Sequence, residues 1–103
     1  MLRRLVLSRL PHGSLALSRR PRARVTRAIA RMEKGNFGDV KSVGEGVLEH
    51  RIDFGPGYRV YFGRDGEKLV ILLVGGTKKR QQRDIDAAHS YWRDYKQSQR
   101  ARR

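Results

Sequence analysis

Residues 68–74, KLVILLV, constrain the fold more than any other stretch of this chain. The run is almost wholly apolar, too short for a long helix, and reads as a central strand buried on both faces. Asp65-Gly66 just before it is a tight-hairpin signal, because a primed turn needs positive φ at its central residues. Upstream of that turn, YRVYF (58–62) is aromatic and β-branched, as strand positions favour. VLEHRIDF (47–54) alternates Val47, Glu49, Arg51 and Asp53 against Leu48, His50, Ile52 and Phe54, the period of a strand with two unlike faces. Together these segments predict a three-stranded antiparallel meander.

Helical periodicity flanks the strands. Val25, Ala28, Ile29 and Met32 recur at i, i+3, i+4 and i+7, predicting a helix over 22–34 with arginines on its far side. Gly35-Asn36 is its stop signal. A second stripe, Ile85, Ala88, Trp92 and Tyr95, predicts a helix within 78–97. Residues 35–46 are glycine-rich and read as a loop; Gly44-Glu45-Gly46 lacks the Gly-Lys-Ser/Thr continuation of a phosphate loop. The expected class is α+β: a small antiparallel sheet packed against an N-terminal and a C-terminal helix. Residues 1–21 stand apart as an acid-free basic leader, 22–97 form the domain, and 98–103 are a basic, fraying tail.

The chain has 103 residues, enough for one domain with a thin core. It has no cysteine, which excludes disulfides, thiolate metal sites and cysteine nucleophiles and suits a reducing cytoplasm. No apolar run approaches the length of a membrane span. Lys and Arg total 24 against 10 Asp and Glu, a net charge of +14. The excess sits at the two ends: residues 1–34 and 77–103 are strongly basic, while 35–76 are near neutral. Such a distribution attracts polyanions: nucleic acid, anionic lipid or an acidic protein.

Chemistry concentrates in 51–62, RIDFGPGYRVYF. Residues two apart in a strand share a face, so Arg59 and Tyr61 point one way while Val60 and Phe62 face the core. Arg51 shares a face with Asp53. The rigid Gly-Pro-Gly sets how the two strands meet. If they pair, Arg51, Arg59 and Tyr61 lie together, and GGTKKRQQR brings Lys78, Lys79, Arg80 and Arg83 to the end of the sheet. Guanidinium forks hold phosphates bidentately and aromatics stack on bases. The same groups suit RNA cleavage without metal, in which the 2′-oxygen attacks its own phosphate and cations neutralise the pentavalent charge. Tyr61 or a lysine is a better proton donor than arginine. The plainer alternative is a cross-strand Arg59–Asp53 pair with the tyrosines as strand formers. His12, His50 and His89 are scattered without ligand spacing, so neither a metal nor a cofactor is expected.

The two blocks GNFGDVKSVGEGVLEHRIDFGPGYRVYF and LLVGGTKKRQQRDIDAA resemble the RelE/ParE toxin superfamily, in its phage-derived, HigB-like branch of addiction module killer proteins. The resemblance covers about Arg22 to Tyr95. It implies a toxin of a bacterial type II toxin–antitoxin pair, silenced by a small antitoxin, often of helix-turn-helix type, and meeting operator DNA only through it. RelE-like members cleave mRNA on the ribosome; ParE-like members poison DNA gyrase. Carried over by position, Arg51, Arg59 and Lys78 match basic positions associated with RNA cleavage. Tyr61 joins them on the physical reading, and Lys79, Arg80 and Arg83 are expected to bind RNA. Residues 1–21 do not match the usual family opening, which leaves an inactive toxin that only binds RNA or antitoxin as a further alternative.

Overall fold

A computed structural model describes residues 2–6, 19–53 and 57–102. Five strands, β1 (Arg3–Val6), β2 (Val40–Ser42), β3 (Leu48–Ile52), β4 (Tyr58–Asp65) and β5 (Lys68–Gly75), form one mixed sheet in the order β1-β5-β4-β3-β2. Helix α1 (Arg19–Glu33) precedes β2, and a 3₁₀ turn (Lys78–Arg80) leads into α2 (Gln81–Ala101). The β3-β4-β5 core is the antiparallel meander that the alternation predicts, with Gly66 at φ 58 in the hairpin turn.

Two strands lie where the sequence suggests none. The leader reading of residues 1–21 gives way at its start, because Arg3–Val6 pairs parallel with β5. The loop reading of 35–46 gives way at Val40–Ser42, which pairs antiparallel with β3. Both are short edge strands. Four and three residues carry too little periodicity to announce themselves, and they gain their ladder only from the neighbour they meet. Gly-Pro-Gly falls mostly outside the described residues, as does Phe54.

Helix α1 begins at Arg19, placing Pro21 in its first turn, where a missing N–H costs nothing. Its C-terminus is a Schellman motif. Gly35 takes φ 88, its N–H bonds to the Met32 carbonyl, and the Asn36 N–H bonds to the Arg31 carbonyl. The stripe of Val25, Ala28, Ile29 and Met32 is buried against Ile52, Val60, Phe62, Leu69 and Ile71.

The opposite face of the sheet is covered by α2. Tyr61, Val70, Leu72 and Leu73 meet Ala88, Trp92 and Tyr95. A bulge between Tyr61 and Phe62 leaves Leu72 without a partner across β4, so Leu72 and Leu73 both fall on the α2 side. Trp92 lies against Gly63 so closely that an added Cβ would come within 2.5 Å of its ring. Tyr95 stacks on Trp92 and donates a hydrogen bond to Asp65 at 2.6 Å. Helix α2 runs on to Ala101, so the predicted tail from Ser98 is largely helical.

The architecture is α+β with helices on both faces of the sheet. Helix α2 lies over the face that carries Arg59 and Tyr61, and α1 over the other.

Candidate functional site

The site is built by strand register. Glu49 and Arg51 of β3 are directly opposite Tyr61 and Arg59 of β4, and Lys41 of β2 is opposite Glu49. Paired residues share a face, so these five side chains all lie on the α2 side of the sheet. Helix α2 covers Tyr61 but starts at Gln81, and beyond its first turn the sheet is open. There Asp39, Lys41, Glu49, Arg51, Arg59, Lys78 and Gln81 line a cleft of about 310 Å³.

Arg59 is the fixed cation at its base. It is only 8% exposed, and its Nη1 donates to the Gly76 carbonyl at 3.3 Å. Its Nε is buried and has no hydrogen-bond partner among the described residues. Arg51, directly opposite, is exposed, as are Lys41 and Lys78. Glu49 is 5% exposed, and its Oε2 accepts a hydrogen bond from Gln81 Nε2 at 3.0 Å. A buried carboxylate, a buried guanidinium and a rim of exposed cations therefore share one concave surface. An unsatisfied buried donor carries a desolvation cost of about 1–3 kcal/mol.

Below the cleft sits Asp84, in the first turn of α2 and 9% exposed. Burial raises its pKa above the ordinary carboxylate value, opposed by the nearby Arg80 and Arg59. Gly75 makes this approach possible: a Cβ there would lie 2.5 Å from Asp84 Oδ2 and 3.2 Å from the Tyr61 ring.

Of the residues singled out in the sequence, Arg51, Arg59 and Lys78 come together in the cleft. Tyr61 does not line it. Its side chain is fully buried beneath Glu49 and Arg59, and its hydroxyl has no partner of ordinary geometry among the described residues. Burial, with the Glu49 and Asp84 carboxylates adding to it, pushes its phenol well above the usual range. Tyr61 therefore presents no surface to a substrate; its expected place in the site with Arg51 and Arg59 fails because α2 covers that part of the sheet. Lys79, Arg80 and Arg83 are exposed on the 3₁₀ turn and the first turn of α2, beside the cleft and not in its lining.

Glu49, Gln81, Lys41, Asp39 and Asp84 are the residues that sequence reasoning missed. The signal for Glu49 was present, since it alternates in phase with Arg51. Lys41 and Asp39 depended on the unseen β2. Among the described residues no group of three or more His, Asp or Glu is placed to hold a metal ion, and no helix is long and apolar enough to cross a membrane.

Fold and site thus define a small α+β protein with a cationic cleft at one end of a mixed sheet. Residues 15–91 match the family model of phage-derived Gp49-like proteins, and the chain belongs to that family. An uncharacterized protein of Haemophilus influenzae is 51% identical over 69 residues, covering 67% of this chain and 70% of its own length. No solved structure matches.

Proposed function

We propose that this protein is the toxin of a type II toxin–antitoxin pair, a RelE-like endoribonuclease that cuts mRNA on the ribosome without a metal or cofactor. The observation that carries this reading is the cleft in which Arg51 faces Arg59, whose buried Nε has no partner among the described residues, beside the buried Glu49. Membership of a phage-derived family of the addiction-module type supports it.

In this reading the scissile phosphate sits between Arg51 and Arg59. Glu49 accepts the proton of the 2′-hydroxyl as its oxygen attacks the neighbouring phosphorus. The two guanidiniums stabilise the dianionic pentavalent state, where charge develops. The bond to the 5′-oxygen breaks, and Lys78 delivers a proton to that leaving oxygen. The products are a 2′,3′-cyclic phosphate and a 5′-hydroxyl end. Tyr61 and Asp84 form the floor that fixes Arg59. Lys79, Arg80 and Arg83 hold RNA leading into the cleft. The toxin acts in the cytoplasm; a small antitoxin, of helix-turn-helix type, neutralises it and carries any contact with operator DNA.

The test is induction in bacteria, alone and beside the adjacent gene. Growth arrest relieved by the neighbour, and lost in Arg59→Ala at equal soluble protein, is expected. Arrest accompanied by DNA breaks with intact mRNA would replace the reading with a gyrase poison.

A further inference from the structure

Strand β3 serves two faces at once. Glu49 and Arg51 open into the cleft, whereas His50 and Ile52 turn to the α1 side. There a second concavity of about 190 Å³ is lined by Arg24, Arg27, Arg31, His50, Ile52 and Asp53. It lies on the opposite face of the sheet from the cleft and shares no described residue with it.

We infer that this α1 groove is a second, sequence-independent binding surface for an RNA phosphodiester backbone. The inference takes its polyanion from the RNA-cleaving reading above but does not depend on catalysis. Three arginines at i, i+3 and i+7 lie along one side of α1, spaced by about 4.5 and 6 Å along the helix axis. They flank the buried Val25, Ala28, Ile29 and Met32 stripe, so packing of α1 on the sheet holds them in line beside β3. Arg27 and Arg31 are exposed and make no ion pair among the described residues. Asp53 is the one carboxylate among the described residues of the lining, leaving an excess of positive charge there. His50 lines the groove beside them, its ring close to the Phe37 and Asp39 backbone.

The chemistry favours a nucleic acid backbone over an acidic protein. Ile52 is the only apolar side chain among the described residues of the lining, and protein interfaces are anchored by buried apolar and aromatic groups. Guanidinium forks hold phosphates without such anchors. The alternation of β3 places one phosphate-binding surface on each side of the β2-β3 edge, so a strand leaving the cleft meets the second surface by crossing two short strands.

The experiment measures binding alone. A short fluorescein-labelled RNA strand, fully 2′-O-methylated so that the 2′-oxygen cannot attack, is titrated with the full chain between about 50 and 200 mM salt. Two variants each remove three positive charges: Arg24→Ala/Arg27→Ala/Arg31→Ala on α1, and Lys96→Ala/Arg100→Ala/Arg102→Ala at the end of α2. Circular dichroism confirms that both fold. Loss of three phosphate contacts predicts a fall of about two in the salt slope for the α1 variant, and about tenfold or more in affinity at the higher salt. The α2 variant retains the wild-type slope. Equal losses in both would reduce the effect to net charge and overturn the proposal, as would wild-type binding by the α1 variant. Binding of poly-glutamate through the three α1 arginines, with RNA ignored, would also overturn it and assign the groove to an acidic protein. Because the probe cannot be cut, none of these outcomes depends on whether the cleft is a nuclease.

Discussion

Arg51 and Arg59 are direct cross-strand partners, two guanidiniums on the same face of adjacent strands. Like charges opposite one another destabilise a sheet by a few tenths to about 1 kcal/mol. Arg59 is nearly buried as well, with one donor unsatisfied among the described residues. An arrangement that costs stability in the free protein fits one that receives an anion, and the two arginines are expected to respond differently to removal. Arg59→Ala should lower RNA cleavage by about 10²- to 10³-fold, the range for losing one fixed transition-state donor. Arg51→Ala, from an exposed position, should cost about tenfold and leave thermal stability unchanged or slightly raised. Cleavage rates and melting curves on both variants check this.

Glu49→Gln keeps the shape of the side chain and its place beside Gln81 while removing the proton acceptor. Cleavage should fall by about 10²-fold or more, in line with the worth of a positioned base, with RNA affinity maintained. Equal cleavage by Glu49→Gln would move the base elsewhere in the cleft.

Tyr61→Phe separates a supporting from a catalytic tyrosine. The hydroxyl is buried beside the Glu49 carboxylate with no hydrogen bond of ordinary geometry among the described residues, and an unsatisfied polar group costs about 1–3 kcal/mol. Its removal should leave cleavage within a few-fold of wild type and raise stability by about 1 kcal/mol in urea unfolding. A drop in cleavage with unchanged stability would return Tyr61 to the chemistry.

Asp84 links stability to pH. Burial holds its folded pKa above the ordinary 3.8, so the folded state favours the protonated form. The stability from that proton is complete below the ordinary value and is lost as pH rises through the raised one. At neutral pH the ionised carboxylate is therefore a cost. Asp84→Asn should match wild type near pH 3 and exceed it in urea midpoint at pH 7. Cleavage should meanwhile fall about tenfold, equivalent to roughly 1.4 kcal/mol, because Arg59 and Arg80 lose a facing anion.

Gly63→Ala tests how α2 is seated. The new methyl would lie 2.5 Å from the Trp92 ring, in a core where overpacking costs about 1–3 kcal/mol. The melting temperature should fall while the far-UV spectrum keeps its form.

The strands and helices that could be read in the sequence are those whose patterns are long. The 68–74 run, the Asp65-Gly66 turn and the Val25–Met32 stripe each carry their structure locally. The run also held a fact about the site: a strand buried on both faces implies a second covering layer, and that layer is what encloses Tyr61. Arg51, Arg59 and Lys78 converge as their spacing suggests. Lys41 and Asp39 could not be placed, because β2 is three residues long and exists only as a partner of β3. Asp84 was hidden differently. It looks like an ordinary first-turn acid, and only the missing side chain of Gly75 lets it sink beneath the cleft.

The central claim is that the cleft cuts RNA by attack of the 2′-oxygen. The most direct measurement is transcriptome-wide mapping of 5′-hydroxyl RNA ends after brief induction of the wild type and of Arg59→Ala at matched soluble levels. New 5′-hydroxyl ends within translated mRNA in the wild type, absent from Arg59→Ala, are predicted. Growth arrest by the wild type with no new ends, or the same ends in Arg59→Ala, would contradict the account.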